Sequence, residues 1–102
     1  MTLTAEEYNV LNKIATKTGM ECWFFLKQDK NGNDYVYDIE EGKRISLKRG
    51  VWQLADGFFF DYDEEERREI LDLTEGEIKT FEALLIKLKI DKNEFIHYSK
   101  PL

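Results

Sequence analysis

A single cysteine, a single histidine and a single proline stand among the 102 residues of this chain. One cysteine excludes an internal disulfide framework and any cysteine-cluster zinc site. One histidine leaves little for a histidine-based metal or acid–base centre, so neither metal nor cofactor is expected. Long hydrophobic runs are missing as well. The longest, Cys22 to Leu26 and Ala83 to Ile86, fall far short of the ~18 residues a membrane-spanning helix requires. The acidic opening, Met1 to Asn9, lacks the basic and apolar regions of a signal peptide. A reduced, cytoplasmic setting is the reading these absences support, with Cys22, inside an apolar run, expected as a small buried hydrophobe. No Pro/Gly/Ser-rich linker or low-complexity stretch breaks the sequence, which reads as one compact domain over residues 1–102.

Aromatic residues, at 14%, and hydrophobics, at 42%, are plentiful enough for a packed core although 35% of residues are charged. The net charge of −6 argues against generic binding to nucleic acid or to an anionic membrane. That charge is unevenly placed. Residues 61–77 hold nine acids and two bases, a net of −7, so the other residues together carry +1. Residues 42–55 contain Lys43, Arg44, Lys48 and Arg49 and no acid. The chain is dipolar along its length, with a basic cluster ahead of an acidic one.

Thr4 and Glu7 make a capping box, with Leu3 and Tyr8 as a hydrophobic staple, and open a helix from Ala5 to Thr18 that Gly19 ends. Its apolar stripe is Tyr8, Val10, Leu11, Ile14 and Ala15. Cys22 to Gln28 reads as a strand apolar on both faces. The turn Asp29-Lys-Asn-Gly32 leads to a second strand with Tyr35, Tyr37 and Ile39 on one face, and Glu41-Gly42 can feed a short third, Lys43 to Ser46. Ser46 then caps a helix through Leu47, Val51, Leu54 and Ala55, with Gly57 as its stop. Gly50 within it costs about 1 kcal/mol relative to Ala, so this helix depends on packing. Phe58 to Phe60 reads as a bridging loop or strand, and Asp61 or Asp63 as the cap of a helix whose first turn holds the acids and whose far end Ile70, Leu71 and Leu73 pin. Thr74 and Glu77 form another capping box, with Leu73 and Ile78 as its staple, opening a core-facing helix from Glu75 to Lys89. The likeness between the two helix starts is shared capping chemistry. Phe95, Ile96 and Tyr98 dock part of the tail. The fold class is α+β: an N-terminal helix, an antiparallel β-hairpin or three-stranded meander, then two or three helices packed on it.

The segment from Asp29 to Glu40 matches a calcium-binding EF-hand loop at positions 1, 3, 5, 8 and 12. It places Asp34 where that loop needs glycine, and its flanks have the period of strands, so a hairpin turn is the better reading. The first helix and the hairpin loosely resemble parts of a winged-helix regulator, but only Gly19 to Glu21 separate them, leaving no room for a recognition helix. No G-x-S-x-G, P-loop, G-x-G-x-x-G or H-E-x-x-H pattern is present. His97 and Ser99 lie close in sequence without a third partner, and Cys22 among aromatics is the opposite of an activated thiolate. A non-enzyme is expected.

The remaining candidates are surfaces. Asp61, Asp63, Glu64, Glu65 and Glu66 form a possible contact face for a basic partner, and Lys48, Arg49 and Trp52 form a second. Trp52 and either Tyr35 or Tyr37 are the candidate interface anchors. The function expected is a small accessory or regulatory module that works by protein–protein contact. The alternative is a DNA-mimic inhibitor of a nucleic-acid-processing enzyme.

Overall fold

Capping chemistry explains the two long amphipathic helices directly. In the computed structural model, which describes residues 1–99 with side chains through Phe95, α1 spans Ala5–Thr18 and α4 spans Glu75–Lys87. Each begins with a complete capping box. Thr4 accepts from the Glu7 N–H while Glu7 accepts from the Thr4 N–H, and Thr74 and Glu77 do the same. The two boxes also share a tertiary role. Lys87, in the last turn of α4, reaches Glu7 at 3.1 Å, and Lys13 of α1 reaches Glu77 at 2.8 Å. Two reciprocal ion pairs thus fix α1 antiparallel to α4.

Between them lies a three-stranded antiparallel meander in the order β1-β2-β3: Phe24–Gln28, Asp34–Asp38 and Lys43–Ile45. The register pairs Leu26 with Val36 and Val36 with Ile45, so these residues and Phe24 share the buried face. Phe25 pairs with Tyr37 and Tyr37 with Arg44 on the opposite face. Helix α2, Leu47–Asp61, is capped by Ser46, whose hydroxyl accepts from the Arg49 N–H. It lies against the buried face with Val51, Leu54, Ala55, Phe58 and Phe59 in the core. Short α3, Glu64–Glu69, buries none of its residues. Leu71, Leu73, Ile90 and Phe95 complete the core, and a 3₁₀ segment, Lys92–Ser99, packs on α2.

Several expectations are corrected. Helix α2 runs through Gly57 to Asp61 and takes in Phe58 to Phe60, because Phe58 and Phe59 continue its buried stripe and the Met20 side chain lies where a side chain on Gly57 would sit. The first strand begins at Phe24; Met20–Cys22 is a 3₁₀ turn, which leaves Cys22 exposed instead of buried. On the strand's other face Phe25 is 51% exposed. Tyr8 and Ile70 are exposed where a staple and a pin were expected, although Leu71 and Leu73 do pin the chain after α3. Helix α4 stops at Lys87 because Lys89 takes a left-handed conformation, φ 59°, and the Ile90 N–H bonds back to Leu85. The expected docking of Ile96 and Tyr98, and the side chains of His97 and Ser99, lie outside the described residues.

Candidate functional site

Helix α2 separates the two charge clusters. Lys48 and Arg49 are exposed in its first turn, and Asp61 is exposed at its last residue. Fifteen residues of helix put roughly 22 Å between its ends. Both clusters oppose the helix dipole, since cations sit at its positive end and an anion at its negative end. Each such placement costs about 0.3–1 kcal/mol where the dipole is unscreened. Helix stability alone does not select this arrangement.

Beyond Asp61 the acids line α3 and its flanks. Asp63 is the N-cap, bonded to the Glu66 N–H, and Glu66 accepts in return from the Asp63 N–H. These two are therefore structural. Glu64, Glu65 and Glu69, with Asp72 and Glu75, face solvent. Neither arginine of this segment neutralises the outward carboxylates as a group. Arg67 turns inward, half-buried, and donates to the Phe58 and Phe59 carbonyls at the end of α2 while its guanidinium lies 4.6 Å from the centre of the Phe59 ring. It thereby supplies the cation that the C-terminus of α2 otherwise lacks. Burial lowers its pKa, with the carboxylates of Asp63 and Glu64 countering. Arg68 bridges Glu64 at 3.3 Å and Glu75 at 3.2 Å. Glu65, Glu69 and Asp72 remain outside those pairs.

At the other end Trp52 is held, half-buried. Its indole N–H donates to Glu94 at 2.9 Å and its ring packs on Phe95. With Ser46, Lys48, Arg49 and Gln53 it lines an open groove of about 280 Å³. The fold thus brings Lys48, Arg49 and Trp52 together and sets Asp61, Asp63, Glu64, Glu65 and Glu66 apart from them. No family model, curated protein or solved structure matches the chain. Its surfaces therefore have to be read from their own chemistry.

The remaining candidates resolve locally. The Asp29 carboxylate accepts from the N–H groups of Asn31 and Asn33 and so closes the hairpin turn on itself. Among the described residues no group of three His, Cys, Asp or Glu is placed to hold a metal ion. Cys22 donates to Glu40 at 3.3 Å, and that bond, together with the nearby charge, raises the thiol pKa. Raising it disfavours the thiolate that nucleophilic chemistry needs. Among those residues, too, no helix is long and apolar enough to cross a membrane.

The sequence reading missed the outer face of the sheet as a unit. Phe25, Lys27, Tyr35, Tyr37 and Arg44 share it through the strand register. The signal was present in the alternation of Tyr35 and Tyr37, but placing that face outward required knowing that Gly50 brings α2 onto Val36 on the other side.

Proposed function

We propose that this protein is a small cytoplasmic accessory or regulatory module that acts by protein–protein contact through the acidic surface of α3 and its flanks, and that its partner presents a basic surface. The observation that carries this reading is the disposition of the two arginines: one is spent on the end of α2 and the other on Glu64 and Glu75, which leaves Glu65, Glu69 and Asp72 outward. Exposed carboxylates that keep their field steer association with a cationic partner. Ile70, 62% exposed at the end of α3, adds an apolar contact within the same surface. The concentration of acids on one six-residue helix and its flanks fits a local contact better than a DNA mimic, which needs carboxylates spread over the length of a duplex face.

The test is affinity capture from the native host with the wild-type chain and with a Glu64→Gln, Glu65→Gln, Glu69→Gln variant, which leaves the Asp63–Glu66 cap intact. Proteins retained by the wild type and released by the variant support the contact. Retention of the same set by both would remove the acidic surface from the account.

A further inference from the structure

On the face of the sheet opposite α2, Phe25, Lys27 and Arg44 are exposed and Tyr35 and Tyr37 are half-buried. These side chains form two cross-strand rows: Phe25, Tyr37 and Arg44 in one, Lys27 and Tyr35 in the other. Residues on one face of a strand recur about every 6.6 Å, and neighbouring strands lie about 4.8 Å apart, so the three rings form a shallow platform. Cations are interleaved with them. The Arg44 guanidinium lies 3.8 Å from the centre of the Tyr35 ring, and Lys27 lies 5.7 Å from that of Tyr37. Phe25 is half exposed, and among the described residues no cation lies over its ring.

The positive charge continues off the platform. A groove of about 590 Å³ where β3 ends is lined by Tyr35, Arg44, Ser46 and Lys48, with Met1, Asp34 and Leu88. It leads to the start of α2, where Lys48 and Arg49 sit against the helix dipole. From Cys22 to Arg49 five acids stand against six bases, and most of the acids are held by other groups; Asp38 is buried and accepts from the Glu41 N–H. Asp29 pairs with Arg44 at 3.5 Å, and Asp34 accepts from the Leu3 N–H at 2.6 Å; Glu40 and Glu41 lie on the β2–β3 turn. The acidic helix follows the far end of α2, roughly 22 Å along the helix from Lys48 and beyond the Debye length of about 8 Å at physiological salt. Net charge is therefore a poor guide to this face.

We propose that the outer sheet face and the basic edge that continues from it bind single-stranded nucleic acid, the bases stacking on Phe25 and Tyr37 and the phosphates meeting Lys27, Arg44 and Lys48. Every base has an apolar face, so a ring platform accepts strands without strict sequence preference, and interleaved cations supply the phosphate contacts. A duplex hides its base faces and fits this surface poorly. Lys27 swings from Tyr37 to phosphate when a base arrives, and Arg44 exchanges Asp29 for phosphate while it stays stacked on Tyr35.

Fluorescence anisotropy of labelled oligouridine and oligothymidine, titrated with the full chain at about 50 mM salt, with a duplex competitor, tests this. Both single strands should bind more tightly than the duplex, and the ratio between them tells whether RNA or DNA is preferred. With three phosphate contacts the affinity should fall with a log–log salt slope of about −2. Phe25→Ala should weaken binding roughly tenfold without changing that slope, and Phe25→Tyr should retain it. Arg44→Ala and Lys48→Ala should each weaken binding and flatten the slope, while the Gln variant of Glu64, Glu65 and Glu69 should bind at least as well as the wild type. Circular dichroism confirms that each variant is folded. No binding of either single strand, equal binding of the duplex, or an unchanged affinity in folded Phe25→Ala would overturn the proposal and leave the face to a protein partner.

Discussion

Glu7 and Glu77 show how one residue type performs two tasks at once. Each closes a capping box at a helix start and pairs with a lysine of the other long helix. For Glu7, burial favours the neutral acid, but the Thr4 N–H and Lys87 together outweigh it and hold the carboxyl below its ordinary value of 4.5. For Glu77, Lys13 is the main cause of a shift in the same direction, followed by the Thr74 N–H. A depressed folded-state pKa stabilises the fold above the unfolded value, and that stability is lost as pH falls through the folded value. Chemical denaturation should therefore give a nearly constant contribution from this pair at neutral pH, then a decline as pH falls below the ordinary carboxyl value of 4.5 and through the depressed folded values. Glu7→Gln with Glu77→Gln keeps the acceptors but removes both charges. The double variant should lose about 1–2 kcal/mol at neutral pH and show a shallower acid slope. An acid slope identical to that of the wild type would place the pH dependence elsewhere.

Elements were legible in proportion to how local their causes are. The first helix and the start of the fourth could be read from capping pairs four residues long. The start of the second could be read from Ser46, and the hairpin from its turn residues. Where an element ends because of something distant, the sequence misled. Gly57 looks like a stop but is an interior helical position beneath Met20, and the chain of buried rings from Phe58 to Phe59 carries α2 onward. Gly50 has the opposite lesson: it looks like a weakness and is a requirement of packing. A Cβ there would collide with the Cγ2 methyl of Val36, a stiff β-branched residue at the centre of the sheet, and lie 2.7 Å from its Cβ. Gly50→Ala should destabilise by about 1–3 kcal/mol although alanine is the better helix former, and Val36→Ala in the same chain should recover part of the loss. A stabilised single variant would show that α2 and the sheet are not in close contact. Helix α3 buries none of its residues, so its cap and the Arg67 contacts to α2 hold it in place. Removing the Arg67 contacts to the end of α2 by Arg67→Ala should cost about 1–2 kcal/mol and raise amide exchange in α3 well above that in α1. Uniform exchange in both helices would contradict that local role. The candidate site followed the same rule. Its charge runs were visible, whereas the inward turn of Arg67 and the outward face of the sheet depend on contacts across the fold.

At the scale of the whole molecule, α2 is the spacer that makes one net charge into two surfaces. Its first turn carries Lys48 and Arg49 against the helix dipole, and its end meets the carboxylates, where Arg67 supplies the compensating cation. Lys48 and Arg49 stand roughly 22 Å along α2 from the exposed acids, so the two charge clusters are electrostatically insulated from each other at physiological salt. The central claim is that the acidic end is a steering surface for a basic protein. Its most direct test is the association rate of a partner recovered by capture, measured by stopped-flow fluorescence at low and high salt for the wild type and for the Glu64, Glu65 and Glu69 to Gln variant. The account predicts that the wild-type rate falls by about tenfold or more as salt rises, and that the variant associates slowly with little salt dependence. Equal rates for the two proteins, unaffected by salt, would contradict it.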